Sequence, residues 1–309
     1  MNKKHSHENY PLVSVIVPVK NGEKTIGMSL AALLKQNYPQ DKMQVIIVDN
    51  GSQDNTIEII KKYPVILEYE NEIASSYAAR NKGLSAAQGE IIAFTDADCI
   101  PEKNWIENGV RALNEQNSDM AGGKIEFIFS EQKSVAELFD SLNSLRNDNF
   151  INAKLGAVTA NLFVRAGLFC KIGLFPEVRT GGDISWTGRA LSKGSSLIYA
   201  PDAIVYHPAR NFLETLKKSW LHGTGMLFVF SQRRWRFLKI IYLFIRLLIP
   251  VPAKVVLKSV IAFKSDPDIR NRHMAMWWLS YLNNLFLLGG LVYSIFRNNP
   301  DKNKSMKKN

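Results

Sequence analysis

Short apolar runs alternate with helical patterns through the first 210 residues of the chain. Runs rich in β-branched residues predict strands that are buried on both faces of a sheet. The predicted strands are 13–19, 44–48, 65–70, 90–95, 124–129, 158–164 and 197–206, and the predicted helices are 23–36, 75–88, 133–150 and 183–192. Pro101 is predicted in the first turn of a further helix. This alternation predicts an α/β domain with a Rossmann-like, mostly parallel sheet.

The last quarter of the chain has a different pattern. Residues 274–296 form an uncharged apolar run, long enough to cross a bilayer. Trp277 and Trp278 near its start are typical of a membrane interface, whereas Asn283 and Asn284 count against a lone span. The stretch 237–263 is broken by cations and prolines, which predicts two short helices lying in the interface. The alternative is a pair of helices packed on the main domain.

Charge separates the same two regions. The net charge is +11, yet residues 1–230 hold 24 Lys and Arg against 25 Asp and Glu. Residues 231–309 hold 15 Lys and Arg against 3 acidic residues. The balanced body excludes a nucleic-acid-binding domain, and the basic appendage predicts attraction to anionic membrane lipid. Cations on both sides of 274–296 disfavour a single span, so we expect an interfacial or hairpin-like arrangement.

Cysteine content and the N-terminal pattern indicate the compartment. Cys99 and Cys170 give no disulfide framework, which fits a reducing environment. The first apolar run, 12–19, is too short for the core of a signal peptide. We therefore expect the protein at the cytoplasmic face of the membrane.

Polar side chains follow three of the predicted strands. Asn21, Asp49 and the pair Asp96 and Asp98 each come where a strand ends. Ligands of open parallel sheets gather at the carboxyl ends of the strands. Two carboxylates separated by one small residue can hold a hard cation through oxygen while leaving positions for phosphates. The spacing alone is weak, since Asp266-Pro267-Asp268 repeats it without a preceding strand.

Several short motifs, taken in order, resemble family 2 glycosyltransferases over about residues 11–230. They are Pro18-Val19-Lys20-Asn21-Gly22, Val48-Asp49-Asn50-Gly51-Ser52, Ala79-Arg80-Asn81-Lys82-Gly83, Phe94-Thr95-Asp96-Ala97-Asp98, Gly181-Gly182-Asp183 followed by Arg189, and Tyr206-His207-Pro208. The resemblance implies the GT-A fold, an inverting reaction, and a nucleotide-diphospho-sugar donor bound through Mn²⁺ or Mg²⁺. The resemblance implies a catalytic domain (11–230), and the charge and apolar pattern predict a mobile N-terminus (1–10), an apolar and basic helical region (231–297) and a basic tail (298–309). The catalytic domain would comprise a nucleotide-binding half, about 11–123, and an acceptor half, about 124–230.

The resemblance also implies roles on the donor side. Asp49 would receive the base or ribose above a floor formed near Pro18 and Asn21. Arg80 would face the uracil or phosphates, although it is also typical of a surface helix charge. Asp96 would contact the ribose or a metal-bound water, and Asp98 would bind the metal. His207 would reach the metal or diphosphate, or else pack as a core histidine.

On the acceptor side, Asp183 is the candidate general base, with a helix N-cap as the alternative. The family usually has an acidic residue where this chain has Gly182, so acceptor contacts there stay open. Trp186 is a candidate for stacking on an acceptor sugar, or a core residue. Asn161 lies in a segment that resembles the one facing the acceptor.

The resulting prediction is an enzyme that moves a sugar from a nucleotide-diphosphate donor, a UDP-sugar, to an acceptor hydroxyl. The acceptor would be a lipid-linked or cell-surface glycan. One alternative is a sugar nucleotidyltransferase, which would need a Gly-rich phosphate loop after the first strand. The other is a non-catalytic glycan-binding membrane scaffold, against which the set of candidate carboxylates counts.

Overall fold

The computed structural model describes residues 10–232, 237–250 and 271–297. The chain divides into two compact units. The first, the sheet unit, comprises Met1–Ile128, Leu145–Val178 and Gly182–Pro208. The second, the helical unit, comprises Phe129–Ser144, Arg179–Gly181 and Ala209–Asn309. The helical unit thus takes in three separate segments of the chain.

The sheet unit contains eight strands among its described residues. They are β1 (Val13–Val19), β2 (Met43–Asp49), β3 (Ile66–Tyr69), β4 (Ile91–Thr95), β5 (Ile100–Pro101), β6 (Met120–Ile128), β7 (Asn161–Arg165) and β8 (Leu197–Pro208). The helices of this unit are α1 (Ile26–Leu33), α2 (Thr56–Ile60), α3 (Ser76–Ala86), α4 (Trp105–Glu115), α6 (Asn147–Asn152), α7 (Gly167–Ile172) and α8 (Gly182–Ser192). Helix α5 (Val135–Asn143) belongs to the helical unit.

All eight strands form one sheet in the order β3-β2-β1-β4-β7-β6-β8-β5. The pairs β2–β3, β1–β2, β1–β4 and β6–β8, four of the seven in the sheet, are parallel, which agrees with the predicted mostly parallel sheet. Strand β7 runs antiparallel to both β4 and β6. Because β1, β2 and β4 run in one direction, their carboxyl ends meet at one edge of the sheet.

The core of this unit lies on both faces of the sheet. Val13, Val15 and Val17 of β1 pack on one face, and Ile16 packs on the other. This arrangement follows from the alternation of side chains along a strand. Burying one such side chain contributes about 1.5–3 kcal/mol, so the apolar runs that predicted the strands also stabilise the layers.

Three element predictions were wrong in detail. The predicted helix 133–150 is two helices, α5 and α6, separated by Leu145 at a φ of 53°. Pro101 is not in a helix: it pairs with Val205 in β5, and α4 begins at Trp105. Helix α1 covers only Ile26–Leu33 of the predicted 23–36.

The helical unit is built on two long helices, α9 (Phe212–Gln232) and α11 (His273–Arg297), with α10 (Phe237–Leu248) and α5. Ser219 donates a hydrogen bond to the Asn283 side chain, and the Asn283 amide donates to the Leu279 carbonyl at 3.0 Å. Gly223 and Gly290 lie where a Cβ would overlap the opposite helix's backbone, which lets the helices cross closely. The polar Asn283 is therefore buried against the neighbouring helix.

Helix α11 is, within the part of the chain that the structure describes, the one helix long and apolar enough to cross a bilayer. It coincides with the predicted run 274–296. The predicted interfacial stretch 237–263 is described only as far as 250, and the basic tail 298–309 lies outside the described residues.

Candidate functional site

The carboxyl ends of β1, β2 and β4 bring the predicted donor-side residues to one edge of the sheet. Val19 pairs with Asp49 in the parallel register of β1 and β2, and Pro18 pairs with Val48. The Asn50 amide donates to the Val19 carbonyl at 2.8 Å, which ties the two strand ends together. The register thus places Pro18 one position before Asp49 on the neighbouring strand, at the same edge of the sheet.

Asp49 is buried, with only 1% of its surface exposed. Its Oδ2 accepts hydrogen bonds from the amides of Gly51 and Ser52, both at 3.0 Å. Its Oδ1 is buried and has no hydrogen-bond partner. A buried carboxylate oxygen without a donor is costly, so this atom marks a place where a ligand N–H or O–H would be stabilised.

The loop after β1 is fastened to the loop after β2. The Asn21 amide donates to Ser52 Oγ at 2.8 Å, and the Gly22 amide donates to Thr56 Oγ1 at 2.7 Å. Asn21 Oδ1 accepts from the Gln53 amide at 2.8 Å. Asn21 takes a φ of 52°, a left-handed conformation that asparagine tolerates. Because these amides already donate to side chains of the protein, the loop is held in place and does not offer them to the phosphates of a ligand.

Arg80 of α3 is buried rather than a surface helix charge, with 3% of its surface exposed. Its guanidinium donates to Asp96 Oδ1 at 2.5 Å and to the Ser76 carbonyl at 3.3 Å. Its Nε is buried without a partner. The Asp96 side chain is 32% exposed, so Arg80 fixes it while part of the carboxylate stays open.

Asp98 and His207 meet at the same edge of the sheet. His207 Nε2 lies 3.5 Å from Asp98 Oδ2, and His207 Nδ1 lies 2.6 Å from the Pro208 carbonyl oxygen. The Nδ1 contact orients the ring so that Nε2 faces Asp98. Asp98 remains 42% exposed, whereas His207 is buried against Phe127.

Cys99 adds a sulfur atom beside this pair. The possible ligand atoms of Asp98, Cys99 and His207 all lie within 4.8 Å of one another. Burial and the charges of Asp98 and Asp96 raise the pKa of the Cys99 thiol well above its usual value. The neutral thiol packs in the core. The carboxylate and the imidazole are therefore the donors suited to a divalent cation such as Mn²⁺ or Mg²⁺.

Asp183 lies in the first turn of α8 and is held from two sides. Its Oδ1 accepts from the Tyr77 hydroxyl and from the Ile184 amide, both at 2.9 Å. Its Oδ2 accepts from the Thr159 amide at 3.2 Å. Asp183 is the second residue of the helix rather than its N-cap. Because its main partners come from other elements, the carboxylate is anchored in tertiary structure.

Close packing against the Tyr77 ring requires glycine at position 182. A Cβ at this position would lie 2.8 Å from the Tyr77 ring, so any larger side chain would displace that ring. The acidic residue that the family usually has here would not fit beside Tyr77 in this arrangement. Gly182 can therefore offer backbone but no side chain to an acceptor.

Two of the acceptor-side candidates lie in the core, as the alternative interpretation of Trp186 expects. Trp186 is fully buried, stacks on Phe169 with ring centroids 4.6 Å apart, and donates to the Gly173 carbonyl. Asn161 is also fully buried and accepts from Trp105 Nε1 at 2.9 Å. Its amide donates to the Lys124 and Ala203 carbonyls. Neither side chain presents a face to a sugar, because each is used to hold the core.

Sequence reasoning missed Tyr77. It stands three residues before Arg80, so the two share a face of α3, and the Arg80 guanidinium carbon lies 5.3 Å from the Tyr77 ring centroid. The helical spacing was visible in the sequence, but the partner, Asp183, lies 106 residues away. No local pattern gives a contact at that separation.

The comparisons with known proteins identify the family. The family model described as Glycosyl transferase family 2 matches residues 14–167. Glycosyltransferase AglE from Haloferax volcanii is 40% identical over 230 residues, which cover 72% of this chain and 76% of that protein. The chain belongs to glycosyltransferase family 2. The family 2 match takes in the strand ends with Asp49, Asp96 and Asp98.

Solved structures extend the likeness to the fold. The mannosyltransferase PcManGT from Pyrobaculum calidifontis, solved in complex with GDP-Man and Mn²⁺, matches with a TM-score of 0.62 and 19% identity, covering 95% of this chain and 89% of that one. Residues 1–349 of Staphylococcus aureus TarS, solved with UDP-GlcNAc, match with a TM-score of 0.53 and 18% identity, covering 91% and 90% of the two chains. This family 2 member therefore has the GT-A fold that the sequence predicted.

Proposed function

We propose that this glycosyltransferase moves a sugar from a UDP-sugar to an acceptor hydroxyl with inversion at the anomeric carbon, and that it needs a divalent metal. The observation that carries the proposal is the meeting of Asp98 and His207 at 3.5 Å beside an Asp96 fixed by Arg80. Carboxylates and an imidazole at the carboxyl edge of the sheet suit a diphosphate donor bound through a cation.

The side chains present fit such a cation. Asp98 and His207 would hold it. Asp96, two residues before Asp98, is paired with Arg80 and keeps part of its side chain exposed. When bound, Mn²⁺ or Mg²⁺ supplies charge neutralisation for the diphosphate leaving group. Arg80 keeps Asp96 in position through a charge-assisted hydrogen bond.

A buried carboxylate oxygen of Asp49 can accept a hydrogen bond from the nucleotide. The unpartnered Oδ1 of Asp49 suits an N–H of the base or a hydroxyl of the ribose. Pro18 and Asn21 form the floor of this pocket, because the two loops are joined by hydrogen bonds. Uracil offers a ring N–H for such a bond, as guanine and thymine also do, so the choice of a UDP-sugar rests on the likeness to TarS solved with UDP-GlcNAc.

Asp183 acts as the general base. The acceptor hydroxyl gives its proton to the Asp183 carboxylate as its oxygen attacks the anomeric carbon. The bond from that carbon to the diphosphate oxygen breaks, and its electron pair leaves with the nucleoside diphosphate. Attack on the face opposite the leaving group inverts the configuration.

The acceptor is proposed as a lipid-linked or cell-surface glycan. TarS from Staphylococcus aureus, described as a poly(ribitol-phosphate) β-N-acetylglucosaminyltransferase, is 33% identical over 112 residues, 35% of this chain and 20% of that protein. That description supports a phosphate-containing polymer as the acceptor class.

Membrane attachment rests on the helical unit. Trp278 and Phe296 of α11 are 56% and 70% exposed, and Tyr242 of α10 is 67% exposed. Aromatic side chains exposed on apolar helices fit the interface of a bilayer. With the basic composition of residues 231–309, they support attachment to anionic lipid at the cytoplasmic face.

The two alternative functions are less well supported. A nucleotidyltransferase would need free backbone N–H groups after β1 to cradle phosphates. The amides of Asn21, Gly22 and Glu23 instead donate to side chains of the loop after β2. A non-catalytic scaffold has no use for the buried, unpartnered carboxylate oxygen of Asp49.

A screen of nucleotide sugars tests the proposal. The full chain is incubated in detergent with UDP-, GDP- and dTDP-sugars and with Mn²⁺, Mg²⁺ or EDTA, and the released nucleoside diphosphate is measured. We expect turnover of a UDP-sugar that EDTA abolishes. Turnover of a GDP-sugar alone would overturn the choice of base, and turnover in EDTA would overturn the metal requirement.

A further inference from the structure

The hydrogen bond between Tyr77 and Asp183 joins two parts of the sheet unit that lie 106 residues apart. The Tyr77 hydroxyl donates to Asp183 Oδ1 at 2.9 Å, while the Thr159 amide donates to Oδ2 at 3.2 Å. A carboxylate that receives donors on both oxygens has its plane fixed. Because Oδ1 also accepts from the Ile184 amide, the lone pair that remains for an acceptor hydroxyl is on Oδ2 and points in a set direction.

Tyr77 is well placed to act as a constant donor. It is 6% exposed and packs against the Phe175 ring, with centroids 6.1 Å apart. Burial and the negative charge of Asp183 raise the pKa of Tyr77 well above its usual value. The phenol therefore stays protonated over the pH range in which a transferase is assayed.

The start of α3 fixes Tyr77 in turn. Ser75 is the N-cap: its hydroxyl accepts from the Tyr77 amide at 3.2 Å and donates to the Val178 carbonyl at 2.6 Å. Three residues after Tyr77, Arg80 holds Asp96 on the donor side. One face of one helix thus holds a donor-side carboxylate and an acceptor-side carboxylate together.

We propose that Tyr77 is a positioning residue for the transfer reaction, which orients the Asp183 carboxylate toward the acceptor hydroxyl. The inference rests on the proposed function, because it takes Asp183 as the general base. Through Tyr77 and Arg80, α3 sets the position of the base relative to Asp96. A displacement of α3 would misplace both carboxylates.

The pH dependence of kcat reports on the hydrogen bond between Tyr77 and Asp183, because few other charged groups face Asp183 among the described residues. From α3, Asp183 faces Tyr77 and, behind its ring, the Arg80 cation. The segment before β7 contributes the neutral Thr159, and Arg189 of α8 itself donates to the Leu174 carbonyl. Removing a donated hydrogen bond destabilises a carboxylate's charged form, so the base then loses its activity at a higher pH.

The test compares Tyr77→Phe with a matched control, Tyr38→Phe. Tyr38 is 5% exposed and its hydroxyl donates to the Pro11 carbonyl at 2.7 Å, so both variants lose one buried hydroxyl bond. In Tyr77→Phe we expect kcat to fall about 10-fold, with UDP affinity within about twofold of wild type. The acidic limb of its kcat profile moves to higher pH. Tyr38→Phe leaves kcat and the profile unchanged.

A second variant should shift the acidic limb of the kcat profile in the opposite direction. Tyr77→3-fluorotyrosine keeps the ring and makes the hydroxyl a stronger donor, so we expect the acidic limb to move to lower pH. A Tyr77→Phe profile that matches Tyr38→Phe would overturn the positioning role, as would an equal fall in kcat and UDP affinity. Asp183→Asn, measured in parallel, separates the two proposals: if it retains turnover, the base assignment itself has failed.

Discussion

His207 Nε2 lies 3.5 Å from Asp98 Oδ2, although the two residues come from β8 and from the turn after β4. The antiparallel pairing of β5 with β8 brings them together, because Ile100 pairs with Tyr206 and so sets Asp98 close to His207. This distance is long for a hydrogen bond, and the Asp98 carboxylate is partly exposed. The imidazole nitrogen and the carboxylate oxygen therefore remain available as ligand atoms for a cation.

Removal of Asp98 should abolish the metal dependence of nucleotide binding. Calorimetry with UDP and Mn²⁺ should show strong binding in the wild type and weak, EDTA-insensitive binding in Asp98→Ala. His207→Ala should weaken metal-dependent binding about 10-fold or more. Asp202→Ala, at an exposed carboxylate that pairs with Arg111, serves as the control and should bind as the wild type does. Equal UDP affinity with and without metal in the wild type would contradict the metal-held donor.

Asp49→Asn should weaken nucleotide binding without loss of stability. The new amide keeps an oxygen for the Gly51 and Ser52 amides, but it places a donor where the free Oδ1 acceptor was. Loss of one hydrogen bond to a charged group costs about 1.5–3 kcal/mol, which is about 10–100-fold in UDP affinity. The melting temperature should stay level or rise, since a buried charge is removed. Unchanged UDP affinity would show that the nucleotide does not use this oxygen.

Gly182→Ala should damage both stability and turnover. The added Cβ would lie 2.8 Å from the Tyr77 ring, and overpacking of this kind costs typically about 1–3 kcal/mol. Displacement of Tyr77 should also lower kcat, because the ring carries the hydroxyl that holds Asp183. Gly167→Ala is the control, since its Cβ would meet nothing within 4 Å. A Gly182→Ala enzyme with wild-type kcat would mean that Tyr77 can move without effect on the base.

The sequence predicted the parts of the site that depend on local pattern. The apolar runs predicted β1, β2 and β4, and the position after each strand predicted which carboxylates share the sheet edge. What failed depends on packing between distant segments. The sequence left Trp186 as either a sugar-stacking or a core residue, because a helical pattern does not show that Phe169 covers its side chain. The break at Leu145 and the pairing of Tyr77 with Asp183 have the same origin.

The exposed aromatic face of α11 should govern membrane binding. Trp278→Glu combined with Phe286→Glu places two charges on this face, and both side chains are exposed, so folding should be preserved. We expect the full chain to float with vesicles containing anionic lipid and the double variant to float much less. Met28→Glu, at a side chain of the sheet unit with the same 56% exposure as Trp278, should float like the wild type. A full chain that stays in the soluble fraction with such vesicles would contradict membrane attachment.

The central claim is that Asp183 takes the proton of the acceptor, and the turnover of Asp183→Asn tests it most directly. The substitution keeps the size of the side chain and an oxygen for the Tyr77 hydroxyl and the Ile184 amide, while the Thr159 amide loses its acceptor. The melting temperature should therefore fall only modestly, and UDP affinity should remain close to that of the wild type. Loss of a general base typically lowers the rate about 10²–10⁴-fold, and kcat for sugar transfer should fall by that amount. Asp183→Asn that retains more than about a tenth of the wild-type kcat would place the base elsewhere.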